Sequence, residues 1–487
     1  MEVDVLLTCN STLMSNYHGK EFLGFGSSAP PNWLPEFLFR FLFFPKMKKI
    51  NGLPWQAPYG LRKMEAKLID EGISAIVVDS DDVQKYNARV IGIYVMDAFG
   101  WGPSSTTFAG IMKTGEPYLA KYFRKLLESR GYKKLKEKGA KTIVGGPGVW
   151  QFRYKPNFLD KYGIDCVFDG EGEVAVDLIK KAIEGKNLPR FYEGNRFPSI
   201  EEISTIKRAT VNGIVEIGRG CPRHCEFCSV TMRPLRWYPY EKIEEEMKVN
   251  ESYGVDSCIL HAEDVLLYGQ KGVIPDEEKV LKLNELAKKH AKYVSWSHAS
   301  FPAVASNKKL IEKLSEILID ENQKWWGAEM GIETGSPELI KKRMPAKAKP
   351  FKPEEYPEIV KEASAVMTDN NLFPACTLIT GLPEETEEDV IKTIELIEEL
   401  KDFKSLIVPL FFVPMGKLKD EEWFRKEKMS DLHKELLIKC MRHDLKWSKK
   451  IINEYFHEKN IIIKTLYLLF MKIIEWEGKR WLEKKTI

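Results

Sequence analysis

The chain has 487 residues, more than one hydrophobic core usually holds, so two or three domains are expected. Its residues are 44% hydrophobic and 30% charged, a balance that excludes an intrinsically disordered protein. The formal net charge is only +3 and charges of both signs are intermixed, so no basic field favours nucleic acid as a partner.

Two further features of the composition bear on location. The first eight residues are acidic before they are apolar, unlike a secretory signal, and no apolar run reaches the roughly eighteen residues of a membrane span. Three of the eight cysteines lie within eight residues, which is typical of metal binding in a reducing compartment rather than of disulfides. We therefore expect a cytoplasmic protein.

The first third of the chain alternates short β-branched runs with helical periodicity, the pattern of a parallel sheet with crossover helices. Strands are predicted at residues 4–8, 73–79, 90–96, 142–146 and 165–169. This pattern predicts a doubly wound, Rossmann-like domain over residues 1–190, in which strand ends open into ligand-binding loops.

A Pro-, Asn- and Gly-containing stretch at 187–198 is the predicted linker to a second β/α series. Strands of this series are predicted at residues 213–217, 257–261, 292–298, 325–332, 375–380 and 405–413. The spacing leaves room for one helix after each strand, so residues 191–415 are predicted to form a partial (β/α)6 TIM-type barrel. Residues 416–487 lack strand patterns and are predicted to be helical.

A cysteine motif directly follows the first barrel strand. Residues 218–228 read Gly-Arg-Gly-Cys-Pro-Arg-His-Cys-Glu-Phe-Cys, which places Cys221, Cys225 and Cys228 in one loop. Three thiolates leave one iron of a [4Fe-4S] cluster open, whereas an electron-transfer cluster usually takes four. A zinc site or a redox disulfide is the alternative, although zinc would need a fourth ligand such as the adjacent His224.

This Cys-x3-Cys-x2-Cys motif after a barrel strand resembles that of the radical S-adenosylmethionine (SAM) superfamily. The resemblance implies that the open iron chelates SAM and that an electron from an external reductant cleaves a C–S bond, giving a 5′-deoxyadenosyl radical. Phe227 stands where the family places an aromatic ring against the adenine. Shielding the cluster from water is another role for this ring.

Three further segments extend the resemblance. Residues 331–336, Gly-Ile-Glu-Thr-Gly-Ser, resemble a family segment that contacts the ribose and methionyl groups, with Glu333 and Ser336 as candidates. Residues 377–385 resemble the fifth-strand glycine motif, with Gly381 near the adenine. Glu263 lies in His-Ala-Glu-Asp, where many members have Gly-Gly-Glu to bind the methionyl ammonium. Ordinary strand-to-helix turns or an acidic helix start are the alternatives.

The first domain resembles the cobalamin-binding domain of one class of these enzymes. The resemblance lies in residues 91–96, 144–148 and 169–173, and it names Gly92, Gly145, Gly146 and Gly170 as cobalamin-binding candidates. A nucleotide or flavin could use the same architecture.

The Asp-x-His-x-x-Gly cobalt-binding motif of many cobalamin domains is absent. His18, the one histidine before the cysteine motif, is a candidate axial ligand, and a solvent-facing histidine is the alternative. Residues 97–107 could instead pack beneath the corrin and leave cobalt without a protein ligand.

Residues 31–49 and 461–481 each combine aromatic and aliphatic side chains with lysines. Such segments suit peripheral association with a membrane interface, and they also suit packing over a domain or barrel mouth.

The resemblance implies a cobalamin-dependent C-methyltransferase acting on an unactivated carbon. One SAM would methylate cobalamin, a second would give the radical, and the substrate radical would take methyl from methylcobalamin. One alternative is a radical enzyme that forms C–C bonds or rings in an archaeal membrane lipid. Another is a non-catalytic iron–sulfur redox protein. The substrate, whether small molecule, lipid or protein, is not specified.

Overall fold

The computed structural model describes residues 2–28, 34–112, 115–455 and 461–483. It divides into two compact units. The first unit comprises Met1–Cys221, Met232–Ala262 and Lys282–Ser295. The second unit comprises Pro222–Thr231, Glu263–Leu281 and Trp296–Ile487. The division into domains at residues 190 and 415 stays a prediction.

Strands and helices follow the predicted alternation. The strands are β1 (Glu2–Cys9), β2 (Lys49–Ile50), β3 (Leu53–Pro54), β4 (Ala75–Val77), β5 (Asn87–Tyr94), β6 (Lys141–Gly145), β7 (Cys166–Asp169), β8 (Phe191–Glu193), β9 (Ile214–Glu216), β10 (Gly218–Arg219), β11 (Arg236–Trp237), β12 (Ser257–His261), β13 (Tyr293–Trp296), β14 (His298–Ala299), β15 (Trp326–Glu333), β16 (Leu372–Thr380) and β17 (Leu406–Phe411). The α-helices are α1 (Glu36–Phe43), α2 (Tyr59–Asp70), α3 (Pro103–Met112), α4 (Tyr118–Glu128), α5 (Arg130–Glu137), α6 (Asn157–Tyr162), α7 (Val176–Ile183), α8 (Tyr240–Ser252), α9 (Glu277–His290), α10 (Phe301–Ser306), α11 (Lys308–Leu318), α12 (Pro337–Arg343), α13 (Tyr356–Asp369), α14 (Glu387–Glu399), α15 (Asp431–Tyr455) and α16 (Ile461–Glu483). The α/β class with parallel sheets and a helical C-terminal segment is confirmed.

The first unit is built on a parallel sheet of order β4-β1-β5-β6-β7-β8. Adjacent residues of its strands pack into different cores, because side chains alternate between the two faces of a sheet. Leu6 and Ile91 lie in one core, and Leu7 and Val90 lie in the other. Both faces are therefore covered, as the doubly wound prediction requires.

The predicted linker at 187–198 contains strand β8, which pairs in parallel with β7 at the edge of this sheet. The Pro, Asn and Gly residues of that stretch favoured a loop, but Phe191 aligns with Val167 and extends the ladder by one strand. The two aromatic residues of β8 are compatible with a strand, but no local pattern indicates that the strand pairs with β7.

Within the first unit, helix α2 contacts the start of the second predicted strand series. Arg62 is fully buried and donates hydrogen bonds to the carbonyl oxygens of Ala209 and Pro54, both at 3.0 Å. The next residue, Lys63, forms a buried 2.7 Å ion pair with Glu246 of α8. Truncating either cation would leave a buried carboxylate or carbonyl without its donor.

The second unit holds a parallel sheet of order β14-β15-β16-β17. Along β15 the even-numbered Trp326, Ala328 and Met330 are buried, whereas Glu329 and Gly331 remain partly exposed. This period of two gives the sheet one packed face and one accessible face. The other predicted barrel strands belong to the sheet β13-β12-β9.

The aromatic segment at 31–49 includes Trp33, which lies outside the described residues. The described part contains α1, whose Phe39 and Phe43 are buried while Phe37 and Phe41 are exposed. None of the helices within the described ranges is both long enough and apolar enough to cross a lipid bilayer.

Candidate functional site

The cysteine loop begins at a turn that only glycine can form. Gly220 has a φ of +87°, and a Cβ at this position would lie 2.7 Å from the carbonyl oxygen of Pro234. Cys221 follows directly, so this turn determines how the first thiol is presented. None of Cys221, Cys225 and Cys228 forms a disulfide in the part of the chain that the structure describes, so each can offer a thiolate to the predicted cluster.

In the second unit, the backbone around the other two cysteines is held by a threonine. The Thr231 hydroxyl donates to the carbonyl oxygen of Cys228 at 2.8 Å and to that of Cys225 at 3.2 Å. Between them, the amide of Glu226 donates to the carbonyl oxygen of Arg343 at 3.1 Å. This part of the loop is therefore ordered by the protein itself.

Cationic side chains lie near the buried Cys225 thiol. Burial raises the pKa of Cys225 to about 11, and the positive charges of Lys347 and Arg223 act in the opposite direction. Cations near a thiol favour its thiolate form, which is the form that binds iron. Three thiolates on a cluster add negative charge, so this donor set with its neighbouring cations fits an iron–sulfur cluster.

Arg223, two residues before Cys225, is buried in a network of hydrogen bonds. Its guanidinium donates to the Ser300 hydroxyl at 2.7 Å and to the Lys347 carbonyl oxygen at 2.9 Å. It also contacts the carboxylate of Asp264, which accepts a 2.6 Å bond from Ser300. Within the second unit, Arg223 thus joins the cysteine loop to Asp264, to Ser300 at the start of α10 and to the segment that carries Lys347.

Glu333, the candidate for SAM binding at the end of β15, forms a buried ion pair with Lys347 at 2.9 Å. Its φ is +64°, an uncommon conformation for a residue other than glycine. The Tyr356 hydroxyl lies 3.2 Å from the carbonyl oxygens of Gly331 and Ile332 and supports this irregular strand end. Strained residues held this firmly cluster at functional sites.

Glu263 and Glu333 both lie near the thiol of Cys228. Burial raises the pKa of Cys228, and the negative charge of Glu263 raises it further, with a smaller effect from Glu333. The structure therefore brings both predicted SAM-binding carboxylates to the part of the loop that carries Cys228. An ammonium group is the natural counter-charge for an excess of carboxylates.

Sequence reasoning missed a titratable pair on the accessible face of the second sheet. His298 and Glu329 are aligned in the β14–β15 ladder, and their Nε2 and Oε2 atoms lie 3.7 Å apart. Burial raises the pKa of Glu329, His298 lowers it, and Glu333 and Glu263 raise it. The predicted strands could have located the pair, since His298 falls in the strand predicted at 292–298 and Glu329 in the next one, at 325–332.

The other predicted SAM-site residues have different local roles. The Ser336 hydroxyl caps α12, accepting from the Leu339 amide, and donates to the Asp389 carboxylate. Gly381 has a φ of +81°, and a Cβ there would lie 1.9 Å from the Phe424 ring. Phe227 is partly exposed. Their contacts with a cofactor stay predictions.

The glycines predicted to bind cobalamin are explained in part by internal packing. A Cβ on Gly92 would lie 2.5 Å from Leu7, and one on Gly170 would lie 2.9 Å from Gly194. Gly146 combines a φ of +108° with a 2.6 Å approach to the Val95 carbonyl oxygen, whereas Gly145 has no such crowding. At Gly92, Gly146 and Gly170, packing within the protein therefore requires glycine whether or not a ligand binds.

His18, the candidate cobalt ligand, contacts the backbone through its Nε2 atom. That nitrogen lies 2.7 Å from the carbonyl oxygen of Phe41. Burial lowers the pKa of His18, and the contact with Phe41 acts in the opposite direction. Ligation through Nε2 would require this hydrogen bond to break.

Unpartnered polar atoms mark the end of β5 and the start of α3. Asp97 Oδ2, Ser105 Oγ and Thr106 Oγ1 are buried and have no hydrogen-bond partner among the described residues. The other oxygen of Asp97 accepts from Trp101 and Gln151, both at 2.8 Å. Buried polar atoms are rarely left unpaired, so this strand end fits a ligand with hydrogen-bonding groups, such as a corrinoid.

The zinc alternative requires side chains that converge on one ion. Within the described residues, no three His, Cys, Asp or Glu side chains are placed to hold a single metal ion. A [4Fe-4S] cluster does not require its ligands to converge on one ion, because each thiolate binds a different iron atom.

Residues 215–397, which include the cysteine loop and the end of β15, match a family model described as the radical SAM superfamily. The chain therefore contains a radical SAM domain, and the protein is a radical SAM enzyme whose cofactors are a [4Fe-4S] cluster and SAM. An enzyme of this class is not the non-catalytic redox protein that was one alternative.

The chain is similar in sequence to methylthiotransferases and in fold to a methyltransferase. The chain is 24% identical over 345 residues to a tRNA-2-methylthio-N(6)-dimethylallyladenosine synthase of Petrotoga mobilis, covering 68% of this chain and 73% of the relative. It is 30% identical over 200 residues to the ribosomal protein uS12 methylthiotransferase RimO of that organism, covering 38% and 40%. The fold resembles that of TsrM from Kitasatospora setae, a radical SAM methyltransferase whose structure contains cobalamin and a [4Fe-4S] cluster. The TM-score is 0.55 and the sequence identity is 14%, and the match covers 86% of this chain and 77% of that chain.

Proposed function

We propose that the protein is a cobalamin-dependent radical SAM methyltransferase that acts on an unactivated carbon. This proposal depends on the order of the domains along the chain. A doubly wound domain with unpartnered polar atoms at the end of one strand precedes the radical SAM domain. The TsrM fold, which has both cofactors in its own structure, supports this reading.

Cys221, Cys225 and Cys228 would bind the cluster, and Glu263 would accept the methionyl ammonium of SAM. The Glu333–Lys347 pair offers a carboxylate and a cation beside this position. Because Arg223 is anchored by Ser300 and Asp264, the loop keeps its shape when the cluster and SAM bind. Preorganised charges act most strongly where water is excluded.

In the first domain, Asp97, Ser105 and Thr106 would hold polar groups of the corrinoid, and Gly145 would let it approach the backbone. When bound, cobalamin supplies a methyl group for transfer to carbon. The protein itself orients substrate and cofactor and keeps water away from reactive intermediates.

Methylthio transfer is a second candidate, favoured by the similarity to methylthiotransferases. Such a reaction needs a sulfur donor besides a methyl donor, and an additional cluster would need further thiolates. The cysteines outside the motif are Cys9, Cys166, Cys258, Cys376 and Cys440, and all are buried. Burial raises the pKa of each of them, which disfavours metal-binding thiolates. This cysteine set therefore supports methyl transfer over sulfur insertion.

Formation of C–C bonds or rings in a lipid remains the alternative for the product.

The test uses anaerobically reconstituted protein with SAM and dithionite. We expect 5′-deoxyadenosine together with S-adenosylhomocysteine, because radical formation and methyl transfer consume different SAM molecules. Cys225→Ala should remove the visible absorbance of the cluster and lower 5′-deoxyadenosine formation at least about a hundredfold, since a thiolate ligand is lost. Cys376→Ala removes a buried thiol elsewhere and is the matched control.

Each outcome has a distinct meaning. Radical formation without S-adenosylhomocysteine would contradict methyl transfer and support the C–C bond alternative. A sulfur-containing product would support methylthio transfer. An active Cys225→Ala variant would contradict the assignment of the cysteine ligands.

A further inference from the structure

Two arginines face each other at the base of the cysteine loop. Arg219 is the last residue of β10 and stands two residues before Cys221. In the antiparallel pair β10–β11 it lies directly opposite Arg236. Like charges opposite each other destabilise a strand pair, so these strands need a compensating negative charge to stay closed.

Glu171, from the segment after β7, lies between the two arginines. Its Oε2 accepts a hydrogen bond from Arg219 Nη1 at 2.5 Å, and its Oε1 accepts one from Arg236 Nη2 at 2.5 Å. The Glu171 side chain is only 3% exposed. A single buried carboxylate therefore bridges both strands, through charge-assisted bonds that water does not weaken.

Two further carboxylates complete the surroundings of Arg219. Glu173 accepts from its Nη2 and Nη1 atoms at 2.9 and 3.1 Å, and both oxygens of Glu216 accept from Nε at 2.9 and 3.0 Å. Burial opposes the ionisation of Glu216, but Arg219 outweighs it and holds the pKa of this carboxyl at about 2. Arg219 cannot turn away without leaving buried carboxylates unpaired.

We propose that Glu171 is a positioning residue for the iron–sulfur cluster. By bridging Arg219 and Arg236 it holds the base of the loop closed, and this fixes the thiolate of Cys221. The inference rests on the proposed function, because it assumes that Cys221 binds the cluster. It gives the Asp-Gly-Glu-Gly-Glu segment at 169–173 a role at the cluster besides its predicted role in corrinoid binding.

The test is the lability of the cluster in Glu171→Gln, which keeps the shape of the side chain and removes its charge. The matched control is Glu193→Gln, from an exposed 2.6 Å ion pair with Arg153 on the same sheet. Reconstituted proteins are exposed anaerobically to excess iron chelator, and loss of the visible absorbance is followed. We expect Glu171→Gln to lose its cluster roughly tenfold faster than wild type, and the control to match wild type.

A second readout separates positioning from general weakening of the fold. In the double variant Glu171→Gln/Arg236→Met the repulsion between the strands is also removed, so the rate of cluster loss should return toward that of wild type. The reduced cluster of Glu171→Gln with SAM should give a broadened electron paramagnetic resonance signal, and the double variant should restore the wild-type line shape. A double variant as labile as the single one would overturn the proposal.

Glu171→Asp keeps the negative charge on a shorter side chain. It replaces Glu171→Gln in the test of cluster loss if Glu171→Gln does not fold. An intermediate rate of cluster loss is expected for it, and a wild-type rate would overturn the proposal. If wild-type protein takes up no [4Fe-4S] cluster, the proposed function itself fails. If wild type takes up the cluster and Glu171→Gln loses it at the wild-type rate, only the role of Glu171 fails.

Discussion

The absence of a side chain at Gly331 creates the space for the buried Glu333–Lys347 pair. A Cβ at this position would lie 1.8 Å from Glu333 Oε1 and 2.9 Å from Lys347 Nζ. Burial alone would lower the pKa of Lys347, but Glu333 outweighs it and raises the pKa, so the ammonium stays charged. Separating such a pair leaves a buried charge without its partner, which costs about 3–5 kcal/mol.

Gly331→Ala should therefore weaken both the fold and SAM binding. We expect the free energy of unfolding to fall by about 3 kcal/mol and SAM affinity to fall at least about tenfold. Equilibrium dialysis with labelled SAM and thermal unfolding measure the two effects.

Gly327→Ala on the same face of β15 is the control, because a Cβ there meets its nearest atoms at 3.4 and 3.5 Å. If Gly331→Ala bound SAM as well as this control does, the Glu333–Lys347 pair would not belong to the SAM site.

Among the helices, α15 docks onto β17 through polar groups as well as apolar ones. The Asp444 carboxylate accepts a 2.7 Å hydrogen bond from the Ile407 amide, and His443 Nε2 lies 2.9 Å from the Ser405 hydroxyl. The His443 side chain is buried and the Asp444 side chain is partly buried, so their protonation states affect stability. Burial raises the pKa of Asp444 and lowers that of His443 to about 4.

Acidification should weaken this docking through His443. The pKa of His443 in the folded state lies below the ordinary value of about 6.5. The contribution of neutral His443 to the free energy of unfolding is therefore complete above pH 6.5. It is lost as the pH falls toward 4, and the loss reaches a limit of about 3 kcal/mol. His443→Asn lacks this titration. Unfolding midpoints at pH 7.5 and pH 5 should show a gap between wild type and variant that narrows on acidification, and a constant gap would contradict the prediction.

Helix α16 exposes an apolar stripe. Ile462, Leu469 and Trp476 are spaced by seven residues, which places them on one side of the helix, and each is more than half exposed. Peripheral membrane association stays a prediction based on such faces.

Flotation with anionic vesicles tests this prediction. We expect wild type to float and Leu469→Ser/Trp476→Ser to bind at least about tenfold more weakly, because two large apolar side chains no longer enter the interface. Zwitterionic vesicles are the control for the contribution of the lysines. Wild-type protein that remains unbound to both kinds of vesicle would count against the prediction.

For the molecule as a whole, the proposal requires the first domain to hold a corrinoid. Wild-type protein should retain hydroxocobalamin through gel filtration. The double variant Asp97→Asn/Ser105→Ala should bind it roughly tenfold more weakly, since polar contacts to the ligand are lost. Ser252→Ala on the exposed end of α8 is the control. A wild-type protein that binds no corrinoid would remove cobalamin from the proposed function.

Periodicity in the sequence was enough to predict the main strands of the larger sheets. The β-branched runs of β1 and β5 and the residues that end them are local features, and local features determine secondary structure. Strand β8 escaped prediction because its three residues pair only with β7, a contact that no local pattern reveals. The short strands β10 and β11 escaped for the same reason.

Cys221, Cys225 and Cys228 could be predicted as ligands because the motif places all three in one loop, where spacing along the chain restricts their positions in space. The partners of these residues could not be predicted in this way. Lys347 lies 14 residues from Glu333, and Arg219 lies 48 residues from Glu171. Such pairs form only when folding brings distant segments together.

By itself the sequence determined the α/β class, the cysteine motif and the class of chemistry, because each depends on residues that are close along the chain. Only the tertiary structure decided which charges surround the cysteine loop, why Gly331 must be glycine, and that Glu171 joins β10 to β11. The physical reason is that a buried charge requires a partner in space, and that partner can come from any part of the chain.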